Sequence, residues 1–245
     1  MLKWLPFLLL LNPNNVLAEP LRAVVSQTNT APFAIFDQQN RLEDGVAKVL
    51  LDELALRLNR PVFYLDLPRG RVVEWLLTDQ ADISCFLNPD WVPASEQLSW
   101  SPVLFYTRQY IVRRADDNPV RSNQDLVGKR IGTSRGFSYP EIAAVFAAEA
   151  AVRDDAESLE KNIRRLQQGR VDLVMTVDLS YGHYQHYNDT SKLAIDPLWA
   201  KPAAVYCALN PKDQRLAKAI QQQFDLMQQQ GIVSKVLQRW ATAGH

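Results

Sequence analysis

The chain has 245 residues, 47% hydrophobic and 22% charged, enough to bury one large core or two smaller ones without disulfides or metals. Its 27 basic side chains balance 27 acidic ones, so no net field draws it to nucleic acid or an anionic membrane. Recognition must therefore be local.

Residues 1–18 have the layout of an export signal: Lys3, an apolar run from Trp4 to Leu11, a break over Asn12 to Asn15, and then Val16-Leu17-Ala18. Cleavage is expected after Ala18, giving a free periplasmic protein; a retained N-terminal anchor is the alternative. The run falls short of the roughly 20 residues a membrane span needs. Export permits one disulfide between Cys85 and Cys207, but two cysteines are no disulfide framework, and buried free thiols are the favoured reading.

Residues 21–25 read as a strand, 30–32 as a loop, and 37–44 as a polar turn. Val49, Leu50, Leu54 and Leu58 form a helical stripe closed by Asn59, Arg60 and Pro61. Strands follow at 62–65 and 81–86, with a short helix around Trp75 between them. Residues 103–112 read as a strand leaving one lobe for another, and a second alternation begins at 130–133. Pro140 opens a helix running to Ala150. Asp154-Asp155 reads as a helix start, Leu159, Ile163 and Leu166 line the next helix, and 171–177 is a buried strand. The last strand covers 203–209, and two helices carrying Leu216 to Met227 and Val233 to Trp240 end the chain. Strand and helix alternating twice over predict two α/β lobes with largely parallel sheets. In such folds ligands collect at the carboxyl ends of strands, so a cleft between the lobes is the natural site.

Five short motifs occur in an informative order. They are Pro32-Phe33 with Gly45, Ala81-Asp82-Ile83, Trp100-Ser101-Pro102, Asp125-Leu126-Val127-Gly128-Lys129, and Gly169-Arg170-Val171-Asp172. In this order they resemble the family 3 extracellular solute-binding proteins, the polar amino-acid-binding class that feeds ABC importers. The resemblance covers almost all of the chain past residue 18. It implies an α/β, two-lobed periplasmic-binding-protein fold of type II, with two crossover hinge strands near 103–112 and 203–209. Lobe 1 would comprise residues 19–104 and 204–245, and lobe 2 residues 105–203. The function implied is capture of a small polar or anionic solute by lobe closure, with delivery to an inner-membrane ABC permease. No enzymatic activity, cofactor, metal or nucleic acid is expected, and the protein should act as a monomer.

The departures from the family bear on the ligand. The family's carboxylate-binding Arg falls on Ala94, its amino-group-binding Asp falls on Val177 with Asp178 one place late, and Thr30 stands where many relatives place a stacking aromatic. A strand side chain one place off points to the opposite face. Pro68-Arg69-Gly70-Arg71 resembles a Pro-x-x-Arg signature of a divergent branch, and Arg71 is the candidate replacement clamp. Arg135 and Ser138, flanking Gly136 and Phe137 before the Pro140 helix, form a candidate anion site. Asn88 is the further hydrogen-bonding candidate, with Trp91, Phe33, Phe137 and Tyr106 as walls.

His183 and His186 have HxxH spacing without a third ligand, since the remaining histidine is His245. No GxSxG, CxxC, Walker loop or HExxH occurs. Two alternatives stay open. One is a cyclohexadienyl-dehydratase-like enzyme, for which Asp178 and Glu141 are the acid/base candidates; the other is a ligand-sensing module for a membrane receptor.

Overall fold

A computed structural model describes residues 19–241; the expected export signal at 1–18, with its expected cleavage after Ala18, and His245 lie outside them. The strands are, in chain order, β1 (Leu21–Val25), β2 (Ile35–Phe36), β3 (Leu42–Asp44), β4 (Val62–Asp66), β5 (Ile83–Leu87), β6 (Ser99–Trp100) and β7 (Phe105–Thr107). They continue as β8 (Gln109–Arg114), β9 (Arg130–Ser134), β10 (Val152–Ala156), β11 (Leu173–Val177), β12 (Leu193–Pro197) and β13 (Ala203–Leu209). The α-helices are α1 (Val46–Arg57), α2 (Val72–Leu77), α3 (Ala143–Ala147), α4 (Leu159–Gln167), α5 (Asp178–Tyr187), α6 (Gln214–Gln229) and α7 (Ile232–Ala241).

One large sheet has the order β4-β1-β5-β13-β6, with β7 also paired to β13; the second runs β10-β9-β11-β8-β12, and β2 and β3 pair as a separate two-stranded ribbon. In the first, β1 is parallel to β4 and β5. In the second, β9 is parallel to β10 and β11. The largely parallel sheets expected from sequence are in fact mixed. A chain that leaves one sheet and comes back must run both ways, so β13 lies antiparallel to β5, and β8 antiparallel to β11. The outward strand β7 and the returning start of β13 pair directly, Thr107 opposite Ala203 and Phe105 opposite Val205.

Both sheets are covered on both faces, and the period-2 rule sorts their side chains. On β1, Leu21, Ala23 and Val25 join the core beneath α1, α6 and α7, while Val24 faces the core of Val72 and Leu76. On β11, Leu173 and Met175 pack with Ile131 and Ile142, while Val174 faces Ile163, Leu166 and Tyr181 of α4 and α5.

The same device closes the start of a strand in each sheet. The Asp82 carboxylate accepts the backbone N–H of Arg22 at 2.7 Å, and Asp172 accepts that of Arg130 at 2.7 Å. Each Asp also donates its own N–H to the carbonyl of the same arginine. Asp82 additionally binds the Arg22 guanidinium at 2.6 Å. Two of the five motifs are thus ladder ends, which explains why they report fold rather than ligand.

Three readings are corrected. Cys85 and Cys207 are not free thiols: they face each other across β5 and β13 and form a disulfide. Asp154-Asp155 does not begin a helix but lies in edge strand β10, where Asp154 meets Arg165 and Asp155 accepts from Thr133. The Pro140 segment is a 3₁₀ turn (Pro140–Ile142) followed by the five residues of α3, shorter than expected. The aromatic cluster from Tyr181 to Tyr187 belongs to α5, whose Leu179 reaches the core of the first sheet and whose His183 ring lies 6.1 Å from that of Trp240 in α7. No helix among the described residues is long and apolar enough to cross a membrane.

Candidate functional site

A cleft between the sheets is lined by Asn29, Thr30, Phe33, Arg69, Phe86 and Trp91 from one side. Gln109, Ser134, Phe137, Ser138, Thr176 and Ser180 line the other. It opens where β9 and β11 end, at Ser134 and Val177, and where antiparallel β8 begins, at Gln109. This is the strand-end position expected of an α/β ligand site.

Phe33 is placed by the start of α1. Gly45, the residue before that helix, supplies no side-chain cap; instead the carbonyls of Pro32 and Phe33 accept the N–H groups of Val46 and Ala47 at 2.9 and 2.8 Å. The contact is so close that a Cβ on Gly45 (φ +114°) would lie 2.8 Å from the Pro32 oxygen, so only glycine fits. The Phe33 ring then meets Phe86 at 4.8 Å between centroids. Phe86 has φ +63°, rare for a bulky side chain and costing about 1–3 kcal/mol. That geometry directs its carbonyl to Arg69, whose Nη2 donates to it at 3.3 Å.

Arg69 spans the cleft. Its Nη1 donates to Asn29 Oδ1 at 3.2 Å, and its guanidinium lies over the Phe137 ring at 4.0 Å. Gly136 (φ +75°) makes that approach possible, because a Cβ there would stand 3.2 Å from Arg69 Cβ. Loss of solvent lowers the Arg69 guanidinium to about 10, still protonated at neutral pH. Among the described residues its bonding partners are an amide and a carbonyl, with no carboxylate. A second bridge is a hydrogen bond of 3.0 Å between the Thr30 and Ser180 hydroxyls.

Four residues singled out from sequence line this cleft: Phe33, Trp91, Phe137 and Ser138. Four do not. Arg71 ends the 3₁₀ turn that begins with Arg69, points outward with its side chain 58% exposed, and pairs with Glu74 at 2.8 Å. Arg135 is likewise outside, 61% exposed and 3.5 Å from Glu157, because its backbone continues the β9–β10 ladder. Tyr106 sits between inward-facing Phe105 and Thr107 on β7, so strand alternation leaves it 66% exposed. Asn88 is spent on the scaffold: its Oδ1 accepts from Asp90 N–H at 2.8 Å and its Nδ2 donates to the Ala204 carbonyl at 2.8 Å, holding the turn that carries Trp91.

The acid/base candidates are placed elsewhere too. Asp178 accepts from the Thr107 hydroxyl at 2.8 Å and the Arg108 N–H at 3.0 Å, tying α5 to the outward crossover. Glu141 is not among the cleft residues. Sequence reasoning missed Arg69, Asn29, Phe86, Gln109, Thr176 and Ser180. The signal for Arg69 lies in Pro68-Arg69-Gly70-Arg71, two places before the Arg71 that the Pro-x-x-Arg pattern selects.

Among the described residues no group of three or more His, Cys, Asp or Glu side chains is arranged to hold a metal. No protein-family model matches the chain. An L-cystine-binding protein of Bacillus subtilis is 20% identical over 85% of this chain and 76% of its own length. A probable amino-acid ABC transporter-binding protein of Haemophilus influenzae is 23% identical, covering 86% of this chain and 80% of itself. Among solved structures, an ancestral arginine-binding protein bound to arginine superposes with a TM-score of 0.77 at 20% identity, over 90% of this chain and 97% of that one. The chain therefore has the two-lobed fold of the periplasmic amino-acid-binding proteins, as the sequence resemblance implies.

Proposed function

We propose that this chain is a divergent extracellular solute-binding protein, which captures a small polar or anionic solute between its lobes and hands it to an inner-membrane ABC permease. The observation that carries the reading is the cleft itself, lined from both sheets and bridged by Arg69 over Phe137 and by Thr30 to Ser180. Contacts drawn from two bodies stabilise the shut arrangement over the open one, which is what couples solute to closure. The paired strands β7 and β13 are the hinge, dividing lobe 1 (residues 19–104 and 204–245) from lobe 2 (105–203).

Export with cleavage after Ala18 belongs to the same reading and is supported by the disulfide, which persists in oxidising compartments. Action as a monomer and binding without turnover belong to it as well. The test is to melt the purified protein against amino acids, including L-cystine and L-arginine, organic acids, opines and oligosaccharides. Capture predicts that at least one class raises the melting point by mass action. A flat response to every class would overturn it.

A further inference from the structure

We infer that the solute is a monocarboxylate with a flat apolar body and no ammonium group, its carboxylate held by Arg69 and a neutral donor such as a hydroxyl received by Gln109. This deepens the capture reading and rests on it. Three features of the cleft combine. Among the described residues its lining holds one full charge, the Arg69 guanidinium, and no Asp, Glu or His. In a cleft a guanidinium bonded to an amide and a carbonyl but to no counter-charge matches one carboxylate, and a ligand ammonium would be buried without a counter-charge. Asp178, the acidic residue nearest in sequence to the family's ammonium-binding place, is committed to Thr107 and Arg108 at the hinge.

The second feature is Gln109 Oε1, a buried acceptor on the cleft wall with no partner among the described residues. It calls for one donor that is neutral. The third is the walls: Phe33, Phe86, Trp91, Phe137 and Met175 offer ring faces and a thioether rather than polar groups. A body stacked there gains from burial what a hydrophilic side chain would lose.

The experiment compares three matched compounds on the wild-type protein by calorimetry: L-3-phenyllactate, L-phenylalanine and phenethylamine. Phenyllactate replaces the ammonium of phenylalanine by a hydroxyl and keeps everything else. The expected order is phenyllactate tighter than phenylalanine by about tenfold or more, with no binding of the amine. Arg69→Gln should weaken phenyllactate by about 30-fold or more, and Arg69→Lys, which keeps charge but not the fork, by less. Phenylalanine binding as tightly as phenyllactate, or tighter, overturns the inference while leaving solute capture standing. Failure of all three also overturns it, and the broad melting panel then decides separately whether the cleft captures anything. The wild-type comparison holds whatever the Arg69 variants do to folding.

Discussion

The Arg69 guanidinium rests 4.0 Å above the Phe137 ring, a contact that joins a turn of the first sheet to a loop of the second. Each residue is fixed from behind. Arg69 donates to Asn29 and Phe86, and the Phe137 carbonyl accepts from Arg153 at 2.8 Å. The pair therefore links the lobes directly and sets where the Arg69 charge stands in the cleft.

Phe137→Ala removes the face on which Arg69 rests. Cation–π contacts of this kind are worth about 0.5–2 kcal/mol, so ligand affinity should fall about 2- to 30-fold. The melting point of the unliganded protein should change little, because Phe137 lies at the edge of its core. Calorimetry and thermal melting of the same sample check both parts.

Thr30 and Ser180 touch across the cleft with their hydroxyls 3.0 Å apart. Replacing both by cysteine and oxidising the pair should lock the lobes together. Solute exchange in stopped flow should then slow by orders of magnitude, and reduction should restore it. Unchanged exchange in the oxidised protein would mean that closure does not gate the cleft.

The Cys85–Cys207 bridge closes a stretch of 122 residues that includes the whole second sheet. Replacing both cysteines by alanine should cost about 2–5 kcal/mol of stability, read from the urea midpoint. The bridge lies next to Phe86, so solute affinity should fall in parallel if β5 loosens.

These outcomes turn on features of unequal legibility. The motifs holding Asp82 and Asp172 are legible as residue patterns, whereas the Arg22 and Arg130 N–H groups that these carboxylates accept are seen only in the fold. Helix α5 is not legible in the sequence because Tyr181, His183, Tyr184 and His186 mix aromatic and polar positions without a clean apolar stripe. Strand β10 is hidden by Asp154 and Asp155, whose charges are met by Arg165 of α4 and by Arg153 two places back in the same strand. The motif around Pro68 points to Arg71 rather than Arg69 for another reason. The two flank Gly70 in a single 3₁₀ turn, and which one faces inward depends on how that turn docks against β5 and Asn29. The disulfide needed the pairing of β5 with β13, a contact between distant parts of the chain.

His183 gives the protein a pH dependence of known sign. Burial between α5 and α7 holds its imidazole below the usual 6.5, Glu160 opposing the shift and His186 adding to it. On acidification through about 6.5 the unfolded chain takes up the proton first, so this site's contribution to stability is lost as pH falls. The urea midpoint should therefore drop between about pH 7.5 and about pH 5.5, and His183→Phe should flatten that part of the profile.

The most direct measurement is a crystal structure of the protein grown with L-3-phenyllactate. Its carboxylate oxygens should lie about 2.7–2.9 Å from the Arg69 guanidinium, with the ring among Phe33, Trp91 and Phe137. A carboxylate bound instead at the outward-facing Arg71 or Arg135, with Arg69 turned away from the cleft, would contradict the assignment.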